Sequence, residues 1–142
     1  MNLGSLLRSA EAAGVHAVLV PRRRAAPVTP VVEKASAGAI EHVPIDQVAN
    51  LERSLERCKN RGIWVVGLDG GADATIWECD LLTEPLVLVV GAEGKGLSRL
   101  IAERADARVR IPMAGKVGSL NAAVAGAVAL FEVHRKRTSG ER

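Results

Sequence analysis

Only a few short clusters in this chain hold residues of the kinds that carry chemistry. Gly91-Ala92-Glu93-Gly94-Lys95-Gly96 follows directly on the apolar run Leu86–Val90. A glycine-rich turn at the carboxyl end of a buried strand lets a ligand approach the main chain, and its N–H groups can hold polar atoms. It is not a P-loop, because Lys95 is followed by Gly96 and Val89 stands at the first glycine position. It is not a dinucleotide fingerprint either, because Arg99 holds the third glycine position counted from Gly94. On spacing alone, a tight strand-to-helix turn with no ligand stays open. Ser119 is not in a GxSxG elbow, since Val117 occupies the first glycine position. A serine before an amphipathic run also serves as a helix cap. Asn121 falls in the first turn of that same run, and Arg8 sits in an amphipathic segment where a solvated role is the default. His16, His42 and His134 are scattered without metal-ligand spacing, so no metal is expected.

The elements that must position these residues follow from periodicity. Asn2 caps a helix with apolar residues at Leu3, Leu6, Leu7, Ala10 and Ala13, and Gly14 stops it. Ala17–Val20 reads as a strand ending at Pro21. Thr29-Pro30 opens a short helix that ends near Gly38. His42–Ile45 is a strand candidate, and Asp46 is expected to cap a helix to about Asn60, with Val48, Leu51, Leu55 and Cys58 on one face. Ile63–Leu68 is the next strand, broken by Asp69-Gly70-Gly71. Leu86–Val90 is continuously apolar and is expected to be covered on both faces. A helix from Ser98 to Arg104 and a strand from Arg108 to Ile111 follow. In the last helix Leu120, Ala123, Val124, Ala127, Phe131 and His134 share a face. Alternating strands and helices predict an α/β fold, a mostly parallel sheet covered by helices.

The chain's 142 residues, 48% hydrophobic and 25% charged, suit one domain with a real core. No apolar run approaches a membrane span, and Cys58 and Cys79 make no disulfide framework, so a cytoplasmic protein is expected. The net charge of +3 is modest, but it is concentrated in Arg22, Arg23 and Arg24 and in a tail with Arg135, Lys136, Arg137 and Arg142. Such clusters permit phosphate contacts. Aromatic residues are 2% of the chain, which disfavours a platform that stacks single-stranded bases.

Taken together, three runs resemble the SpoU (TrmH-type) family of RNA ribose 2′-O-methyltransferases, in that family's order. They are Asn2 to Gly14 (NLGSLLRSAEAAG), Leu88 to Leu97 (LVVGAEGKGL) and Ile111 to Ala125 (IPMAGKVGSLNAAVA). The connecting stretch Gly14 to Pro21 (GVHAVLVP) looks most like the branch that methylates a guanosine ribose in bacterial 23S ribosomal RNA. Ala122-Ala123 stands where the family more often has Val-Ser.

The resemblance implies a trefoil-knotted α/β domain of the SPOUT class spanning 1–142, with S-adenosylmethionine as cofactor, RNA as substrate and a homodimeric assembly. The match begins after the family's first strand, so that strand and the separate N-terminal RNA-binding domain are expected to be absent. By matching positions, Gly91, Ile111, Met113 and Leu120 would bind the cofactor, largely through the backbone. Asn2, Arg8, Glu93, Ser119 and Asn121 would form the catalytic group. Apart from the resemblance, the charge of Arg22, Arg23 and Arg24 allows RNA contact, with a solvated loop as the alternative. An alternative from the same resemblance is a chain that binds cofactor, RNA or a partner without turnover.

Overall fold

The computed structural model describes residues 3–22, 34, 37–91 and 96–139. The helix expected from Thr29-Pro30 and the side chains of Asn2, Arg23, Arg24 and Glu93 lie outside these residues.

Helix α1 spans Leu3–Ala12 and buries Gly4, Leu7 and Ala10, one face at helical spacing. Gly14 adopts φ +81°, the left-handed turn that ends a helix without a Cβ penalty. Strand β1 (Val18–Pro21) pairs in parallel with β2 (Ile45–Val48). The second strand thus lies three residues beyond the expected His42–Ile45. A 3₁₀ turn at Ala39–Glu41 precedes it, and Asp46 is drawn into the ladder opposite Leu19. Asp46 therefore caps nothing. Asn50 caps helix α2 (Leu51–Asn60), its side chain accepting from the Arg53 N–H at 2.9 Å.

Strands β3 (Trp64–Leu68), β4 (Ala74–Thr75), β5 (Leu86–Val89) and β6 (Ala107–Arg110) form a second, all-parallel sheet in the order β4-β6-β3-β5. Among the described residues this sheet and the β1–β2 pair are separate. Strand β5 is covered on both faces as expected, with Leu86 and Leu88 against one core cluster and Val87 and Val89 in the other, and among the described residues it is an edge of the sheet. Its apolar run reflects the two faces of the sheet, whereas its position in the order is set by long-range pairing.

Helices cover both faces. Val66, Leu68, Ile76, Leu82, Val109 and Ala129 form the core beneath the last helix, α4 (Ala122–Ser139). Leu55, Val65, Val89 and Ile101 pack on the other side, under α2 and α3 (Arg99–Arg104), and Ser98 caps α3. Asp106 ties β6 to β3: its N–H donates to Val65 O at 2.8 Å, and its carboxylate accepts from the Val65 N–H at 2.7 Å.

Helix α4 buries Ala122, Ala123, Gly126 and Ala129. Of the face expected to be apolar and shared, Ala123 is buried, but Leu120, Val124 and Phe131 stay 36–48% exposed. Close packing selects the small residues: a Cβ on Gly126 would lie 2.7 Å from Leu6 and 3.4 Å from Val90. The basic end of α4 is partly engaged as well. Lys136 donates to the carbonyls of Trp77 and Cys79, and Arg137 to those of Leu82 and Glu84. No helix among the described residues is long and apolar enough to cross a membrane.

Candidate active site

The carboxyl ends of β3, β5 and β6 open on one cleft of about 570 Å³. Its walls are Leu68, Asp69 and Gly70 after β3, Val90 and Gly91 after β5, and Val109–Ile111 with Met113 after β6. The segment from Gly118 to Ala122, together with Ala125 of α4, closes the remaining side. Ligands of parallel α/β sheets bind at this edge, because strands end there and loops are free to diverge.

Glycine at 91 is dictated by sterics. A Cβ there would collide with the carbonyl of Gly96 and lie 2.7 Å from the Leu97 nitrogen. Gly96, at φ +64°, thus lies tightly against Gly91. Opposite it, the main chain of Gly118, Ser119 and Leu120 makes no hydrogen bond with another described residue, and neither does that of Gly70. These residues line the cleft together with the apolar Val90, Ile111, Met113, Ala122 and Ala125 and the polar Asp69, Arg110 and Asn121. A mostly apolar lining with a few polar groups suits a small organic ligand.

Asn121 is the cap of α4. Its side-chain oxygen accepts from the N–H groups of Ala123 at 2.8 Å and Val124 at 3.2 Å. Ser119 does not cap the helix; its hydroxyl is exposed and has no partner among the described residues. The oxygen of Asn121 is occupied, so its amide NH₂ is what it can offer a ligand. Asp69 is a charged group on the cleft wall. Its carboxylate accepts from the Gly71 N–H at 2.9 Å and from Arg108 at 3.1 Å.

The structure thus brings Gly91, Ile111, Met113, Leu120, Ser119 and Asn121 to one cleft. Arg8 does not line it; it is exposed on α1 and forms no ion pair with a described residue. Arg22 is exposed just past β1. Asp69, Gly70 and Gly118 also face the cleft, and the sequence reading does not single them out. A signal for them exists, because Asp69-Gly70-Gly71 directly follows a buried strand, at the same edge as the Gly91 loop.

A sequence profile of the SpoU rRNA Methylase family matches residues 1–131. The chain belongs to this SpoU family. It is 52% identical over 136 residues to the 23S rRNA (guanosine-2′-O-)-methyltransferase RlmB of Pseudomonas putida, a match covering 96% of this chain and 54% of RlmB. Among solved structures it is similar to the SpoU methyltransferase AviRb from Streptomyces viridochromogenes in complex with AdoMet. That match has a TM-score of 0.90 at 35% identity, over 98% of this chain and 56% of AviRb. The A. aeolicus TrmH/SpoU tRNA modifying enzyme gives a TM-score of 0.88 at 33% identity, over 98% of this chain and 70% of that one. This SpoU chain spans about half the length of the curated relatives it matches.

Proposed function

We propose that residues 1–142 form one methyltransferase domain that transfers a methyl group to a ribose 2′-OH in RNA, with a guanosine of 23S ribosomal RNA as the target. The observation that carries this reading is the convergence of the Gly91 loop, Ile111, Met113 and the Gly118–Asn121 segment on one cleft, in a chain 52% identical to a 23S rRNA guanosine 2′-O-methyltransferase.

Gly91, Ile111, Met113 and Leu120 would hold S-adenosylmethionine, which supplies an electrophilic methyl on a sulfonium when bound. The protein's part is to align the nucleophile and manage its proton. The Arg8 guanidinium stays protonated at neutral pH, so we assign it the stabilisation of alkoxide charge and of a neighbouring phosphate rather than the role of base. Its exposure on α1 leaves the guanidinium available to RNA. Glu93 would orient Arg8 by a two-pronged hydrogen bond. The Asn121 amide would donate to a ribose oxygen, since its own oxygen is held by the helix start. The Ser119 hydroxyl, free to rotate, would hold the ribose or a proton-accepting water. Asn2 completes the group at the start of α1. Arg22, Arg23 and Arg24 would contact RNA phosphates.

The domain would work in the cytoplasm as a homodimer. Val124 and Phe131, exposed and seven residues apart on one face of α4, support the dimer, because exposed apolar residues on one face mark interfaces. The decisive assay is transfer of labelled methyl from S-adenosylmethionine to 23S rRNA fragments. Arg8→Ala should lower transfer about a hundredfold, the loss of one charged transition-state contact, while leaving cofactor affinity unchanged. Undiminished transfer by Arg8→Ala would remove Arg8 from the mechanism. Cofactor binding with no transfer by the wild-type chain would favour binding without turnover.

A further inference from the structure

The cleft wall after β3 is held by a contact from β6, its neighbour in the sheet. Asp69 donates its own N–H to Val109 O at 2.9 Å, and its carbonyl accepts from the Ala72 N–H at 3.0 Å. Its carboxylate closes the turn on the Gly71 N–H through one oxygen and accepts from Arg108 of β6 through the other, at 2.9 and 3.1 Å. All four polar groups of Asp69 are therefore satisfied internally. The residue next to it, Gly70, lines the cleft with a main chain that bonds to no other described residue.

Arg108 is not itself a cleft residue. It lies on the sheet face opposite the buried Val109, and its side chain is 50% exposed against 25% for Asp69. No other acidic side chain pairs with it among the described residues. A lone carboxylate on the cleft wall would swing toward solvent, or repel an electron-rich ligand edge. Paired with Arg108, it is neutralised and fixed in the rotamer that keeps the Gly71 bond, and so fixes where Gly70 presents its amide.

We propose that Arg108 is a positioning residue for the ligand cleft, acting through Asp69 to set the Gly70 wall. This rests on the reading of the cleft as the cofactor site. The contact is half-exposed, so its contribution to overall stability is small, and its effect is felt where geometry matters, at the wall itself.

The test is calorimetric titration of the full chain with S-adenosylhomocysteine, alongside thermal melting of the ligand-free protein. Arg108→Ala and Asp69→Asn should each weaken binding about fivefold, the size of a half-exposed charge contact, with the ligand-free melting temperature moved little. The double variant should be no worse than either single one, because both remove the same contact. Arg108→Lys should recover part of the affinity. Wild-type affinity in both single variants, or fully additive losses in the double variant, would overturn the proposal while leaving the cofactor site intact. A folded wild-type chain that binds no S-adenosylhomocysteine at millimolar ligand would overturn the cofactor reading and the proposal with it. A lower melting temperature with unchanged affinity would show a purely structural pair and also overturn it.

Discussion

Gly91→Ala isolates the geometry of the cleft from its charge. The backbone of Gly91 is not in the left-handed region, so alanine carries no conformational penalty of its own there. The cost is collision. The added methyl would overlap the carbonyl of Gly96 and come within 2.7 Å of the Leu97 nitrogen. Those are main-chain atoms and cannot rotate away, so Gly91 and Gly96 must separate by roughly 1 Å to restore ordinary van der Waals contact. Overpacking of this kind costs about 1–3 kcal/mol. If the opening falls at the ligand wall, S-adenosylhomocysteine binding weakens roughly fivefold to a hundredfold. Gly115→Ala is the control, because a methyl added there would meet nothing within 4 Å and its backbone is likewise not left-handed. Calorimetric titration of both variants, with circular dichroism to confirm folding, separates the outcomes. Wild-type affinity in Gly91→Ala would mean that the Gly91–Gly96 contact either yields freely or takes no part in binding.

Further expectations follow from other contacts. Glu132 is buried in α4 and paired by two hydrogen bonds with Arg135, which holds its carboxyl below the ordinary value of 4.5. A depressed carboxylate adds stability that is fully present above the ordinary pKa and lost as pH falls through the folded value. Melting temperature should therefore drop more steeply in wild type than in Glu132→Gln as pH falls below the ordinary carboxyl value, and matching acid limbs would contradict this. Asn121→Ala removes the α4 cap and should cost about 1 kcal/mol in urea unfolding, whereas Ser119→Ala should cost nearly nothing; the reverse order would mean that the cap is misassigned. Phe131→Lys places a charge on the exposed face of α4 and should shift sedimentation toward monomer, and an unchanged oligomer would remove that face from the interface.

Local signals are legible in the sequence where one residue settles the matter. Gly14 ends α1 because only glycine enters the left-handed region without strain, and Ser98 caps α3 because it immediately precedes the helix. The choice between Asp46 and Asn50 as the cap of α2 is not local. Both residue types cap helices, and the pairing of β2 with β1 through Val48 commits Asp46 to a strand. The apolar run of β5 likewise says that two faces are covered but cannot say which edges are paired. Large apolar residues on α4 suggest its core face, yet the close approach of α1 at Gly126 admits only the small ones.

The same division holds for the cleft. Its glycine turn is readable as a turn because glycines directly follow an apolar strand, although composition alone leaves open whether a ligand meets it. The tail cations are not readable in this way, because Lys136 and Arg137 find their carbonyl partners 53 to 59 residues away along the chain. Asp69 and Arg108 are 39 residues apart and meet only because β3 and β6 are neighbours in register, Gly67 opposite Arg108. In the sequence Asp69 is a turn residue and Arg108 an ordinary strand cation. Sheet order turns them into a pair, and the pair then decides where the Gly70 amide stands, so strand order, more than any motif, sets the shape of the wall that the motifs face.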